Sequence, residues 1–200
     1  GPAFRSYEPV EEPYRIFPAL EYLVNGTDYQ WEVLPAVSRE MDFRVTVRDN
    51  FMGAGCTSET DVDLTFDERA GPFVVQSPNS GVVWYEGASY TISWDVANTD
   101  MAPVNCSQVD ILLSTDGGYT YPINLATNVP NDGAHIIEVP GILSSTARVM
   151  VRCSDNLFFD ISDEDFAIAT ASDPALGLAV DAPVQQVCQN AERVTYQLSF

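Results

Sequence analysis

The chain has 200 residues, 46% of them hydrophobic, and its 29 acidic residues against nine basic ones leave a net charge of −20. That hydrophobic share is ample for one or two packed domains. So much negative charge repels nucleic acid and anionic membrane surfaces, and no stretch approaches the roughly 18 apolar residues that cross a bilayer, so neither nucleic-acid binding nor membrane insertion is expected.

All nine basic residues are arginine. Abundant acid without lysine reads as a solvated surface suited to a saline exterior. The opening residues, GPAFRSYEPVEEPYRIF, are proline-rich and acidic rather than basic and then apolar, so they do not read as a signal peptide. Pro9, Pro13 and Pro18 make this stretch loop or edge strand. Two strands follow. In MDFRVTVRDN, Phe43, Val45 and Val47 are expected to point inward; in TDVDLTF, Val62, Leu64 and Phe66 are expected to do the same. The glycine-containing FMGAGCTSE between them reads as a hairpin connection. Two strands and an extended arm are too few for an independent sandwich, so residues 1–70 read as the C-terminal part of a domain.

Residues 71–169 are the most regular part of the chain. In YTISWDV, Tyr90, Ile92, Trp94 and Val96 alternate with polar residues, and Val109, Ile111 and Leu113 form the same stripe in VDILLS. In ARVMVRC, Ala147, Val149, Val151 and Cys153 face one way, while Arg148, Met150 and Arg152 face the other. The turn signals SPNSG, STDGG, PNDG and SDN separate these runs. Short alternating strands at this spacing predict an all-β, antiparallel β-sandwich, with Trp94 in its core and no helix. After Ile168 comes the small-residue linker ATASDPALG, and residues 170–200 carry it on into a further β module, in which Val194, Tyr196 and Leu198 alternate as in a strand.

None of the four cysteines sits in a CxxC pair, and the single histidine, His135, cannot complete a zinc site with them. Cys106 and Cys153 belong to one module and are expected to form a disulfide, stabilising by about 3–4 kcal/mol on a chain-entropy estimate. Cys56 and Cys188 lie outside that module and are expected to pair elsewhere or stay free. His135 reads as a surface or edge-strand histidine. The acid-rich SDNLFFDISDEDF offers oxygen ligands for calcium, with Asp155, Asp160, Asp163 and Asp165 as candidates, although its spacing is not that of an EF-hand loop. Asp49-Asn50 and Asp116-Gly117-Gly118 are equally well read as turn formers. Trp84, Tyr119 and Tyr121 are candidates for an aromatic platform that stacks a sugar ring, set against ordinary core or edge packing.

The run GPFVVQSPNSGVVW…YTISWDVANTDMAPVNCSQVDILLSTDGGYTYPINLATNVPNDG…ARVMVRCSDNLFFDISDEDFAI resembles an immunoglobulin-like (Ig-like) module found downstream of the catalytic domain in secreted, reprolysin-like zinc metalloproteases of Bacteroidetes-type bacteria. With the preceding FRSYEPVEEPYRIFPALEYLVNGT, the resemblance spans residues 3–168. It is weaker towards Ig-like domains of yeast cell-wall proteins, and TVRDN followed by a glycine hairpin resembles the end of PKD and cadherin-like repeats. The resemblance implies Ig-like β-sandwich modules in tandem. It also implies an exported protein, often a type IX secretion substrate, at the cell surface or in the medium. The protease motif of that family, HExxHxxGxxH, has no counterpart in a chain with one histidine.

The expected role is therefore a non-catalytic spacer, attachment or assembly segment, with neighbouring modules of the same polypeptide as partners. Glycan or cell-surface binding is a further expectation. Assembly would proceed by β-strand addition, with residues 1–24 or 176–200 pairing with another copy. The competing readings are the accessory region of a secreted zinc metalloprotease and a carbohydrate-binding module. No resident cofactor is expected beyond the calcium candidates.

Overall fold

A computed structural model describes residues 4, 8, 10, 11, 14–27, 31–49 and 51–171. The described chain is mostly β, with strands β1 (Arg39–Arg48), β2 (Thr57–Phe66), β3 (Val74–Ser77), β4 (Val83–Tyr85), β5 (Ser89–Asp95), β6 (Gln108–Ser114), β7 (Ile123–Pro130), β8 (Ala134–Glu138), β9 (Ser144–Cys153), β10 (Phe159–Ile161) and β11 (Phe166–Ala169). The strands fall into three open sheets. One runs β4-β11-β9-β6-β7, with β10 also paired to β9; another runs β3-β5-β8; the third is the two-stranded ribbon β1-β2. Pairing is antiparallel except between β4 and β11, which run parallel.

The alternation read from the sequence places the main core where it was expected. Ile92 and Trp94 of β5 meet Val109, Ile111 and Leu113 of β6 and Ala147, Val149 and Val151 of β9, all buried between the two larger sheets. Trp84, Phe166 and Ile168 extend this core towards the β4–β11 edge. Burying such a set of aliphatic and aromatic side chains contributes about 1.5–3 kcal/mol for each one fully removed from water.

The opposite face of β6 and β9 differs from expectation. Period-two reading assigns Leu112, Arg148 and Met150 to a solvent face, yet all three are buried. The cover is a five-residue helix, α1 (Leu20–Val24), which the proline-rich arm was not expected to contain. Val24, Leu112, Met150 and Ile161 form a second small core, with Leu20, Leu23, Tyr121 and Phe159 packed around it. Arg148 locks this cover, donating through Nη1 to the Val24 carbonyl at 2.9 Å and through Nε to Asp165 at 2.6 Å. It thereby satisfies a carbonyl that the end of a helix leaves open. Gly118 lies beneath the same contact with φ +92°, and a Cβ there would come within 3.0 Å of Arg148 Cδ and 3.3 Å of Val24 Cγ2. Only glycine suits that position.

Downstream of the helix, Glu32 is buried and reaches back to the segment before it, forming an ion pair with Arg15 and accepting the Ala19 N–H at 2.9 Å. The β1–β2 hairpin forms as expected, with Phe43 opposite Val62 and Met41 opposite Leu64. Its apolar face is not uniformly inward, however. Phe4 and Phe17 cover Phe43 with ring centroids 5.5 and 5.6 Å away, but Val45 and Val47 are 49% and 63% exposed. The expectation that these valines point into a core is corrected: a two-stranded ribbon has no second layer to bury its far half.

Candidate functional site

The aspartates proposed as calcium ligands have separate partners. Asp160 lies beneath β3 and accepts the Val75 N–H at 2.7 Å. Asp163 accepts the Asn79 side-chain amide at 2.6 Å, and Asp165 pairs with Arg148. Asp155 lies beside Cys153. Among the described residues, the grouping with three potential metal donors at ligand distance is Cys106, Cys153 and Asp155, and the disulfide consumes two of those donors. Among the described residues the four aspartates do not come together at ligand distance, and Asp160, Asp163 and Asp165 serve as local hydrogen-bond or ion-pair acceptors.

The aromatic platform is likewise not assembled. Trp84 is 4% exposed, stacked on Tyr90 with ring centroids 4.9 Å apart and tilted against Phe166 at 4.5 Å. Only Tyr119 of the three aromatics is exposed. Tyr121 belongs to the second core, and its hydroxyl has no hydrogen-bond partner among the described residues. Burial pushes its phenol well above the usual tyrosine range. A shallow groove of about 430 Å³ beside Trp84 is lined by Gln76, Pro78, Asn79, Val83 and Tyr90. Tyr90 covers a face of the Trp84 ring there, so the indole offers the groove no open stacking platform. His135 lies on β8, at the edge of the three-stranded sheet, as expected.

The disulfide forms between Cys106 and Cys153, closing a 47-residue separation. It ties the segment before β6 to the end of β9, where Val109 pairs with Cys153. Beside it lies a polar constellation that sequence reading missed. Asn131, in the PNDG turn, is buried and accepts Trp94 Nε1–H at 2.8 Å. Its amide donates to Thr99 Oγ1 at 3.1 Å and to the Cys106 carbonyl at 2.9 Å. Asp110, buried on β6, accepts from the Asn128 N–H, the Ser154 hydroxyl and Arg152. Burial alone would raise its pKa, but these donors together hold it below the ordinary carboxylate value. Asp116 organises the STDGG turn: burial works against its charge, yet Thr120, Ser114 and Tyr119 hold its pKa at about 2. These are framework bonds, and the turn reading of Asp116 agrees with them.

The β1–β2 ribbon is the surface whose construction does not explain itself. One face carries Val45, Val47 and Val62, all exposed, and the tip adds Phe51, Met52 and the exposed thiol of Cys56. Asp49 shapes the tip by accepting the N–H groups of Phe51 at 3.1 Å and Cys56 at 3.0 Å. On the other face Arg44 pairs with Asp61 at 2.7 Å and Glu59 at 3.3 Å, while Asp42 stands directly opposite Asp63. Cys188 and the strand-like run containing Val194, Tyr196 and Leu198 lie outside the described residues. Among the described residues no helix is long and apolar enough to cross a membrane.

No protein-family model, curated protein or solved structure matches this chain.

Proposed function

We propose that this chain is a non-catalytic, exported Ig-like segment of a larger secreted or surface-displayed protein, and that it spaces, attaches or assembles neighbouring modules. The observation that carries the reading is a two-sheet body tied by Cys106–Cys153 beside a ribbon whose apolar face is left open at Val45 and Val47. A disulfide of this kind belongs to an oxidising compartment. The strand order supports the Ig-like part: β3-β5-β8 corresponds to one sheet of such a sandwich and β11-β9-β6 to the other, with β7 added at the edge. The disulfide departs from the antibody pattern, because it ties the segment leading into β6 to β9, the neighbour of β6 in the same sheet, rather than bridging the two sheets.

Alkylation of the chain recovered from its producing cells, followed by mass spectrometry, tests the export reading. Cys106 and Cys153 should resist alkylation until a reductant is added. Modification of both without reductant would overturn it.

A further inference from the structure

We propose that the outer edge of β1 pairs antiparallel with β1 of a second copy, joining two ribbons into a four-stranded sheet in the register centred on Phe43. This deepens the assembly role proposed above and rests on it.

Among the described residues β1 pairs with β2 alone. Asp49 donates its N–H to the Cys56 carbonyl, which makes Asp49–Cys56 a hydrogen-bonded pair of the ladder. Hydrogen-bonded pairs alternate along an antiparallel ladder. The odd-numbered residues of β1 therefore bond to β2, while Glu40, Asp42, Arg44, Thr46 and Arg48 turn their N–H and C=O groups to the open edge. An edge of ten residues with every second backbone group unpaired is a template for strand addition.

The side chains on that edge complement their own two-fold image. Centred on Phe43, Asp42 faces Arg44 of the second copy twice, Met41 faces Val45 twice, Glu40 faces Thr46, and Phe43 faces itself. Registers centred on Met41, Asp42 or Arg44 set like charges opposite one another, which is destabilising. A register centred on Val45 is also free of such pairs but overlaps only from Asp42 to Arg48, against Arg39 to Val47. The β2 edge behaves in the opposite way. Glu59, Asp61 and Asp63 share one face, so pairing β2 with itself sets carboxylate against carboxylate. Within a single copy Asp42 already faces Asp63, a like-charge pair that Arg44 of the second copy would relieve. The same pairing extends the apolar face across both copies and sets Val45 beside Met41 of the second copy.

Sedimentation of the full chain over a dilution series tests this. The weight-average mass should rise towards twice the monomer as concentration increases. Thr46→Pro removes an outward N–H while sparing the β1–β2 ladder, and should abolish the rise. Asp42→Arg sets like charges across the new junction and should do the same. Arg44→Asp with Asp61→Arg keeps the ion pair within the ribbon and should also be monomeric alone, whereas its equimolar mixture with Asp42→Arg should recover the dimer. Near-UV circular dichroism of the Trp94 core confirms that each variant is folded. A wild type that stays monomeric at every concentration, a dimer that survives Thr46→Pro, or a mixture that fails to recover would each overturn the proposal. A monomeric chain whose Cys106 and Cys153 still resist alkylation would leave the spacer reading standing.

Discussion

Asn131 satisfies the Trp94 indole N–H and the Cys106 carbonyl in the interior, so its removal strands two polar groups at once, while the Thr99 hydroxyl keeps its bond to the Val96 carbonyl. Leaving buried groups unpaired costs about 1–3 kcal/mol for each. Asn131→Ala is therefore expected to lower stability by at least about 2 kcal/mol in urea denaturation. The carboxylates of Asp110 and Asp160 make opposite demands on pH. Asp110 has a folded-state pKa below the unfolded value, so its stabilisation is present above the unfolded value and is lost as pH falls through the folded one. Asp160 is raised by burial, so the native state holds its proton more tightly and stability declines as pH rises through that window. Denaturant midpoints measured from the acid range to neutrality should show this contrast. Asp110→Asn should cost about 1–3 kcal/mol at neutral pH and flatten the acid loss. Asp160→Asn should leave neutral stability unchanged or raised, because the amide oxygen can still accept the Val75 N–H. None of these roles was legible beforehand. Asn131 sits in PNDG, where asparagine reads as a turn former, and its core role depends on Trp94, distant in sequence.

At the scale of elements, strand identity and the facing of side chains were legible because side-chain alternation has a period of two and survives without its surroundings. Trp94, Ile111 and Val149 are buried where that alternation predicts. What alternation cannot reveal is whether a second layer covers a face. Leu112 and Met150 look like outward residues until LEYLV folds over them, and that segment is too short to display a helical period. Val45 and Val47 look like inward residues, yet nothing described covers them. The helix is a structural part of the body rather than a loose arm. Val24→Ala should therefore cost about 1–2 kcal/mol by opening the contact with Met150 and Ile161, and calorimetry would read the loss. An unchanged melting temperature would show that the helix does not hold in solution.

For the whole molecule, acid dominates the surface while the fold depends on a covalent staple. On the chain-entropy estimate, closing a loop of 47 residues is worth about 4 kcal/mol. Replacing both Cys106 and Cys153 with alanine should lower stability by about that amount, and adding reductant to the wild type should reproduce it. The calcium expectation yields a comparison of its own: with Asp160, Asp163 and Asp165 committed to separate partners, melting with and without a calcium chelator should coincide. The parallel pairing of β4 with β11 has a mechanical consequence. A pull applied upstream of β4 and downstream of β11 acts along the two strands in opposite directions, loading their bonds together in shear rather than unzipping them singly. Should that clamp yield, the loop between Cys106 and Cys153 cannot lengthen, because the disulfide carries the tension past it. A string of such segments would stretch in short, limited steps, as a tether with built-in stops.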